Sequence, residues 1–586
     1  MLEGCTPYPD EVAERYKRDG IWRPQTLGEL LEETTARFPD RLAVAAKNRR
    51  LNYSELNQLS DRLALHLLEQ GLRSRDIVLL QLPNVWEFNV VFFALMKIGV
   101  MPVLCLPPHR QAELTYFAQL TGATGYFVAP EFRGCNYIAL AREIQAAAPA
   151  LRHVFALGAG SESSRNEGVK YLDPLLAPLL APLPAPMLAP LLDDSHVNDS
   201  LASDSLELRT PMDSLRQLRP DPYDVAFFLL SGGTTGIPKL IPRTHADYIY
   251  NARVCAEVLG WESSMVFMVV IPAEHNFPLG APGMVGALSV GGSVAMSLTP
   301  DPPTVFEAIQ RDKGTFLALS PALLIMLLNS PEREKYDLTS LRFVCTGGQK
   351  MLPELVDRTR AIWPWVTVGH AFGMAEGLIN LTRSNDSLAV IRETQGRPAS
   401  PHEEIRVVDD DGRDVTPGEV GELITRGPYT IRGYYKAEEH NRTAFTADGF
   451  YRTGDMVRLH AAGPLTGNVS VEGRKKDMIN RGGEKISAEE VENLILAHDS
   501  VHMVAVVAMP DAVMGEKSCA FVIPRPGRTL ALAELCAFLI ARNIAKFKLP
   551  ERLELVEAFP LTHVGKVSKK DLRVIIADKL RAEAGA

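Results

Sequence analysis

The chain has 586 residues, 46% of them hydrophobic and 23% charged, and carries a formal net charge of −9. That length exceeds what one hydrophobic core serves, so at least two domains are expected. The composition is that of a soluble globular protein, and the acidic balance argues against a nucleic-acid-binding surface. The seven cysteines are scattered, with no C-x-x-C pair and no nearby histidine partner. This argues against a zinc or disulfide framework and fits a reducing cytoplasm. The N-terminal residues 1–15 are polar and acidic, unlike a signal peptide, and no uncharged apolar run of about 18 residues suggests a membrane helix.

Taken in order, residues 26–38 show helical spacing of apolar positions, and short strands follow at Val44 and at 51–53. Ser54 reads as the start of a helix to about Gln70, with Asn57 completing an imperfect capping box. An apolar strand is expected at 77–82, a buried helix at 86–98 ended by Gly99, and another strand at 100–106. This alternation predicts parallel sheets covered by helices. Residues 160–220 differ. Prolines 174, 178, 182, 186 and 190 recur at every fourth position, which forbids a regular helix, and a Ser/Asp/Asn-rich stretch follows. The region reads as an insertion. Strand–helix alternation resumes over 222–400, with a strand expected at 341–345. A compact α/β pattern after about residue 474 makes a plausible small domain, with strands at 501–509 and 519–523 and a helix at 531–542.

The apolar run 225–230 leads into Ser231-Gly232-Gly233-Thr234-Thr235-Gly236-Ile237-Pro238-Lys239. Glycines let a backbone bend tightly around an anion, and successive N–H groups in such a bend form an anion-binding nest. Three hydroxyls and Lys239 add donors and charge suited to a polyphosphate. No lysine directly follows Gly236, so this is not a Walker A loop, and a P-loop kinase is set aside. On its own, a glycine cluster is as well read as a flexible loop.

The stretch resembles the phosphate loop of the acyl-adenylate-forming superfamily. Its extension Leu240-Ile241-Pro242-Arg243-Thr244-His245 resembles the aryl-acid branch, the 2,3-dihydroxybenzoate–AMP and salicylate–AMP ligases of siderophore assembly. The resemblance covers nearly the whole chain except 160–220. It implies an α/β fold of layered sheets and helices over residues 1–474, and a small mobile α+β domain over 475–586.

Further stretches follow in family order. His275-Asn276-Phe277 and Gly280 resemble the acid pocket, where an asparagine amide can both donate to and accept from the substrate. An isolated His-Asn pair would otherwise read as a satisfied loop pair. Gly280 departs from the serine or cysteine expected there, and glycine should leave more room beside the ring. Gly348 and Gln349, in Thr346-Gly-Gly-Gln-Lys350, resemble the adenine-contacting turn. Phe372, Met374 and Glu376 belong to a stretch resembling the fifth core motif, whose glutamate binds Mg²⁺, a hard cation that prefers carboxylate oxygens. Asp455 and Arg474 lie in stretches resembling the seventh and eighth core motifs and would reach the ribose, while Lys476 would be the hinge between domains. Lys566, after Gly565, resembles the catalytic lysine of the tenth motif. By the same resemblance His245 joins Lys566 and Glu376 as a candidate catalytic residue.

The resemblance thus implies an ATP- and Mg²⁺-dependent ligase that converts an aromatic carboxylic acid to aryl-AMP and pyrophosphate. It then implies transfer of the aryl group to the phosphopantetheine thiol of an aryl carrier protein. An aryl-CoA ligase using coenzyme A, and a catalytically silent binding protein on the same fold, share the pattern in different degrees. Neither nucleic acid nor membrane is an expected partner, and the location expected is the cytoplasm.

Overall fold

The computed structural model describes residues 1–158, 168–172, 176, 215–231, 238–482, 484–542, 544–561 and 567–584. The proline repeat lies outside the described residues. Two large sheets dominate. In the first, the strand order is Leu240–Thr244, Val225–Leu230, Met101–Leu104, Ile77–Gln81, Gly125–Val128, His153–Ala156, Val169–Tyr171. All neighbours are parallel except the outermost pair, where Leu240–Thr244 returns antiparallel to Val225–Leu230. Pro242 lies opposite Phe228 in that pair. Proline, which donates no ladder bond, is tolerated there because the strand is an edge.

The second sheet has nine strands. Its parallel centre runs Leu42–Ala45, Ser293–Met296, Val266–Val269, Phe316–Leu319, Phe343–Gly347, Thr367–Gly373. Such strands are apolar on both faces because helices or another sheet cover each side. Helix Trp86–Ile98 lies between the two sheets, and every residue in it but Glu87 is buried. One hydrophobic cluster joins it to Leu80 and Phe227 of the first sheet and to Val44, Phe267 and Cys345 of the second.

A four-stranded antiparallel sheet, Glu404–Val408, Val420–Arg426, Tyr451–Leu459 and Val469–Arg474, completes the large α/β N-terminal domain. The 3₁₀ turn Lys475–Asp477 then leads into a separate sheet that starts at Met478–Arg481. Helices Ala488–Leu496 and Leu532–Ile540 pack on one face of that sheet, and Lys569–Ala584 packs against the other cluster. This is the smaller C-terminal domain of the expected fold class.

Two local expectations shift. The helix read from Ser54 starts at Tyr53, capped by Asn52, whose side chain accepts from the Glu55 N–H while Glu55 accepts from the Asn52 N–H. Asn57 instead accepts from the buried Lys97 ammonium at 3.0 Å. The strand expected at 341–345 lies at Phe343–Gly347. No helix among the described residues is long and apolar enough to cross a membrane.

Candidate active site

Strand Val225–Leu230 and strand Leu240–Thr244 pair antiparallel, and the glycine-rich stretch connects them in sequence. Ser231 and Lys239 close the neck. The Ser231 N–H donates to the Lys239 carbonyl, and the Lys239 N–H donates to Ser231 Oγ, both at 2.9 Å. Gly232, Gly233, Thr234, Thr235 and Gly236 lie outside the described residues. The Lys239 ammonium stands 5.8 Å from the centre of the Tyr434 ring. Tyr434 in turn donates its hydroxyl to Glu376 Oε1 at 2.7 Å and lies 3.0 Å from the Tyr451 hydroxyl. Glu376 is 6% exposed, and its backbone carbonyl accepts from the Ile431 N–H at 2.8 Å. The neck of the glycine loop and the candidate metal ligand therefore share one tyrosine.

Asp455 and Arg474 face each other across adjacent strands, and Arg474 Nε lies 2.7 Å from Asp455 Oδ1. Arg474 also donates to the Thr453 carbonyl at 3.2 Å. Burial lowers the Arg474 pKa, but Asp455, Tyr451 and Glu376 together outweigh it and hold the value up.

Phe277 binds two parts of the site together. An added Cβ on Gly347 would meet the Phe277 ring at 3.0 Å, so glycine is what lets the ring lie against the strand end that leads into Gly348 and Gln349. Those two residues are exposed. Phe372 and Met374 are half-buried and pack on a cluster containing Leu378 and Leu423. The Asn276 amide accepts from Tyr248 at 2.9 Å and donates to the Met374 carbonyl at 3.4 Å. One N–H and one lone pair of that amide are left for a substrate. His275 is exposed, and its Nδ1 accepts from the Phe277 N–H at 3.2 Å.

Burial changes the setting of two expected site residues. His245 is 1% exposed beneath helix Leu27–Arg37, and its Nδ1 accepts from the Leu27 N–H at 3.2 Å. Burial lowers its pKa to about 3 and keeps the ring neutral, and its Nε2 is buried with no hydrogen-bond partner among the described residues. The space expected beside Gly280 is filled as well. A Cβ there would stand 2.3 Å from Tyr248 Cε1 and 2.5 Å from its Cζ. We therefore expect Gly280→Ser to act as overpacking, a cost of about 1–3 kcal/mol. It should lower Tm and raise KM for salicylate and 2,3-dihydroxybenzoate alike. A selective gain for one acid at unchanged Tm would show that Tyr248 yields.

The segment before His275 is fastened to the other sheet. Asn84 donates to the Ile271 and Ser297 carbonyls, both at 3.1 Å, and accepts from the Ala273 N–H at 2.9 Å. Glu274 answers by accepting from the Leu82 N–H at 3.0 Å. Glu274 is 2% exposed, and its other carboxyl oxygen has no partner among the described residues. Burial pushes its pKa up to about 8. The folded state thus keeps a proton that the unfolded chain releases near pH 4.3, so the stability from this group is full below about that pH and is lost as pH rises through about 8. Glu274→Gln should flatten the decline of Tm between about pH 5 and 8.5. Thermal melts across that range check this, and an unchanged slope counts against the proton.

Hinge candidate Lys476 sits in the turn between the sheets. Its carbonyl accepts from Arg573 at 3.2 Å, and Arg573 also pairs with Asp477. Lys566 lies outside the described residues, in a loop closed by the Leu561–Val567 bridge and by the Ser568 N–H donating to the Pro560 carbonyl at 2.8 Å. Sequence reading missed Arg243, Tyr248 and Tyr434. Only Arg243 left a signal, a charge inside a strand whose five residues are all buried, with an acid four positions on.

The Ser231–Lys239 neck, the buried Glu376 that it meets through Tyr434, and the facing Asp455–Arg474 pair form the site of an adenylate-forming enzyme. The AMP-binding enzyme model matches residues 31–435, and the model of the C-terminal domain of AMP-binding enzymes matches 490–566. The chain is 45% identical to a 2,3-dihydroxybenzoate-AMP ligase of Bacillus subtilis, over 99% of each chain. It is 42% identical to a salicylyl-CoA synthase / salicylate adenylyltransferase of a Streptomyces species, over 98% of each. It is 41% identical to a salicyl-AMP ligase / salicyl-S-ArCP synthetase of Mycobacterium tuberculosis, over 97% of this chain and 94% of that one. The chain belongs to the AMP-binding enzyme family, in its aryl-acid–AMP ligase branch. It is an ATP-dependent ligase that activates an aromatic acid by adenylation.

Proposed function

We propose that this enzyme activates salicylate or a 2,3-dihydroxybenzoate-like acid with MgATP and passes the aryl group to the phosphopantetheine thiol of an aryl carrier protein in siderophore assembly. The observation that carries the reading is similarity along nearly the full chain to ligases named for those two acids. In the first step the acid's carboxylate attacks the α-phosphorus, and pyrophosphate leaves. Positioning and electrostatics supply most of the acceleration. Ser231, the glycines and threonines 232–236, and Lys239 cradle the phosphates. Gly348, Gln349, Phe372 and Met374 flank the adenine, and Asp455 with Arg474 holds the ribose. Asn276 and Phe277, beside His275 and Gly280, line the acid pocket. Lys566 offsets the charge that develops as pyrophosphate leaves.

Glu376 would hold the magnesium ion. Its carboxylate suits a hard cation, and Tyr434 orients one oxygen at 2.7 Å. Among the described residues no group of three or more His, Cys, Asp and Glu could hold a metal alone. Magnesium takes one or two protein carboxylates and completes its shell with phosphate and water, so a single glutamate suffices as its protein ligand. When bound, the ion would neutralise phosphate charge.

For the second step we place the domain division at 474/475 and the hinge at Lys476, and we expect Lys476→Pro to impair thioester formation while sparing adenylation. Proline fixes φ near −65° and restricts the rotation. Pyrophosphate exchange and carrier loading, measured separately, check this. Equal loss of both would exclude a hinge there. A second acceptor, coenzyme A, is favoured by one relative's name. We place the enzyme in the cytoplasm, where seven free cysteines are at home. The deciding experiment is pyrophosphate exchange with a panel of aryl acids, followed by mass analysis of product on a holo aryl carrier protein and on coenzyme A. Exchange with neither salicylate nor 2,3-dihydroxybenzoate overturns the proposed acid, and acylated coenzyme A with an unmodified carrier overturns the proposed acceptor.

A further inference from the structure

Arg243 is the largest fully buried side chain among the described residues. An arginine inside a core demands a neutralising partner and filled donor positions. Asp247, one turn along, supplies the first. Its Oδ1 lies 3.0 Å from Nε and 2.8 Å from Nη2. Asp247 is itself fixed, since its other oxygen accepts from the Thr244 N–H at 2.9 Å and its own N–H donates to Thr244 Oγ1. The remaining arm of the guanidinium turns away from Asp247. Nη1 donates to the Ala375 carbonyl at 3.1 Å. Ala375 directly precedes Glu376.

The other face of the same group lies on Tyr248, with Cζ 4.8 Å from the ring centre. That ring donates its hydroxyl to Asn276 Oδ1 at 2.9 Å, and Asn276 donates to the Met374 carbonyl at 3.4 Å. The contacts close a circuit: Arg243 to Ala375, through Met374 to Asn276, through Tyr248 back to Arg243. One guanidinium thereby touches both the turn that carries Glu376 and the tyrosine that orients Asn276.

We infer that Arg243 is a positioning residue that couples the acid pocket to the glutamate turn, so that the acid carboxylate and the metal-bound phosphates are held in register. The inference rests on the proposed roles of Asn276 and Glu376. Displacing reacting groups by about 1 Å can cost on the order of 100-fold in rate. A structural ion pair alone would change stability and leave the kinetic constants of folded enzyme where they were.

The test uses the full chain with salicylate and 2,3-dihydroxybenzoate, and active sites titrated so that only folded enzyme is counted. Arg243→Lys keeps the charge opposite Asp247 but loses the planar fork. We expect kcat for pyrophosphate exchange to fall about 10- to 100-fold, with acid KM and the Mg²⁺ concentration for half-maximal rate rising together. The double change Arg243→Gln with Asp247→Asn removes both charges and should do the same, which guards against a folding failure of the single variant. Tyr248→Phe breaks only the acid arm and should raise acid KM at an unchanged Mg²⁺ requirement. If folded Arg243 variants keep acid KM and Mg²⁺ dependence within about twofold while Glu376→Gln is impaired, the coupling is overturned and the site reading stands. If Glu376→Gln also exchanges normally, the site reading falls and takes the coupling with it.

Discussion

Lys566→Ala is expected to reduce pyrophosphate exchange by about 10²–10³-fold, the usual cost of removing one preorganised group that meets developing charge. Folding should be unaffected. The residue belongs to a loop closed at its neck by the Leu561–Val567 bridge. The hydrophobic cluster behind that neck draws on Val507, Phe521, Phe559, Leu572 and Ile576, and the substitution changes none of these residues. Nucleotide binding should also persist, because the phosphate hairpin, Asp455 and Arg474 belong to the large domain. The expected signature is therefore a collapse of kcat with Tm and ATP affinity held, read by exchange kinetics, thermal melts and calorimetry. Exchange within tenfold of the parent enzyme would remove Lys566 from the catalytic set.

Much of the scaffold was legible because it follows from local rules. Val225–Leu230 is a continuous apolar run and Trp86–Ile98 a mostly apolar one ended by Gly99, and both formed where the pattern placed them. The Ser54 reading erred by one residue because Asn52 competes as a cap, and only the reciprocal bonds with Glu55 decide between them. The site was legible as an ordered set of stretches but not as a network. Tyr434 reaches Glu376 across 58 residues, Asn276 reaches Met374 across 98, and Arg243 reaches Ala375 across 132. Those distances close only through sheet register, such as Gly347 beside Ala371. The setting of His245 was hidden for the same reason. It follows a strand that leads from the phosphate loop, yet what covers it is Leu27, 218 residues away. Gly280 failed because a missing side chain reads as space, while the Tyr248 ring occupies that space in the fold.

Glu376→Gln is expected to be at least as damaging as the loss of Lys566, and more revealing. Glutamine keeps a carbonyl oxygen where Oε1 accepts from Tyr434, so the turn stays anchored through that bond and through the Ile431 N–H on its backbone carbonyl. What changes is the second oxygen, which becomes an NH₂ group that cannot ligate a hard cation. A hydrogen bond to a charged acceptor contributes about 1.5–3 kcal/mol against about 1 for a neutral one, so Tm should fall only slightly. Exchange should fall by about 10²–10³-fold, comparable to losing one electrostatic group in an enclosed site. The rate that remains should need more Mg²⁺ to reach half its maximum. Titrating exchange against Mg²⁺ at fixed ATP separates this from a general distortion, which would lower the plateau without moving the midpoint. A Glu376→Gln enzyme that saturates at the parental Mg²⁺ concentration, with activity within tenfold, would leave the buried carboxylate as a packing group held by Tyr434 and nothing more.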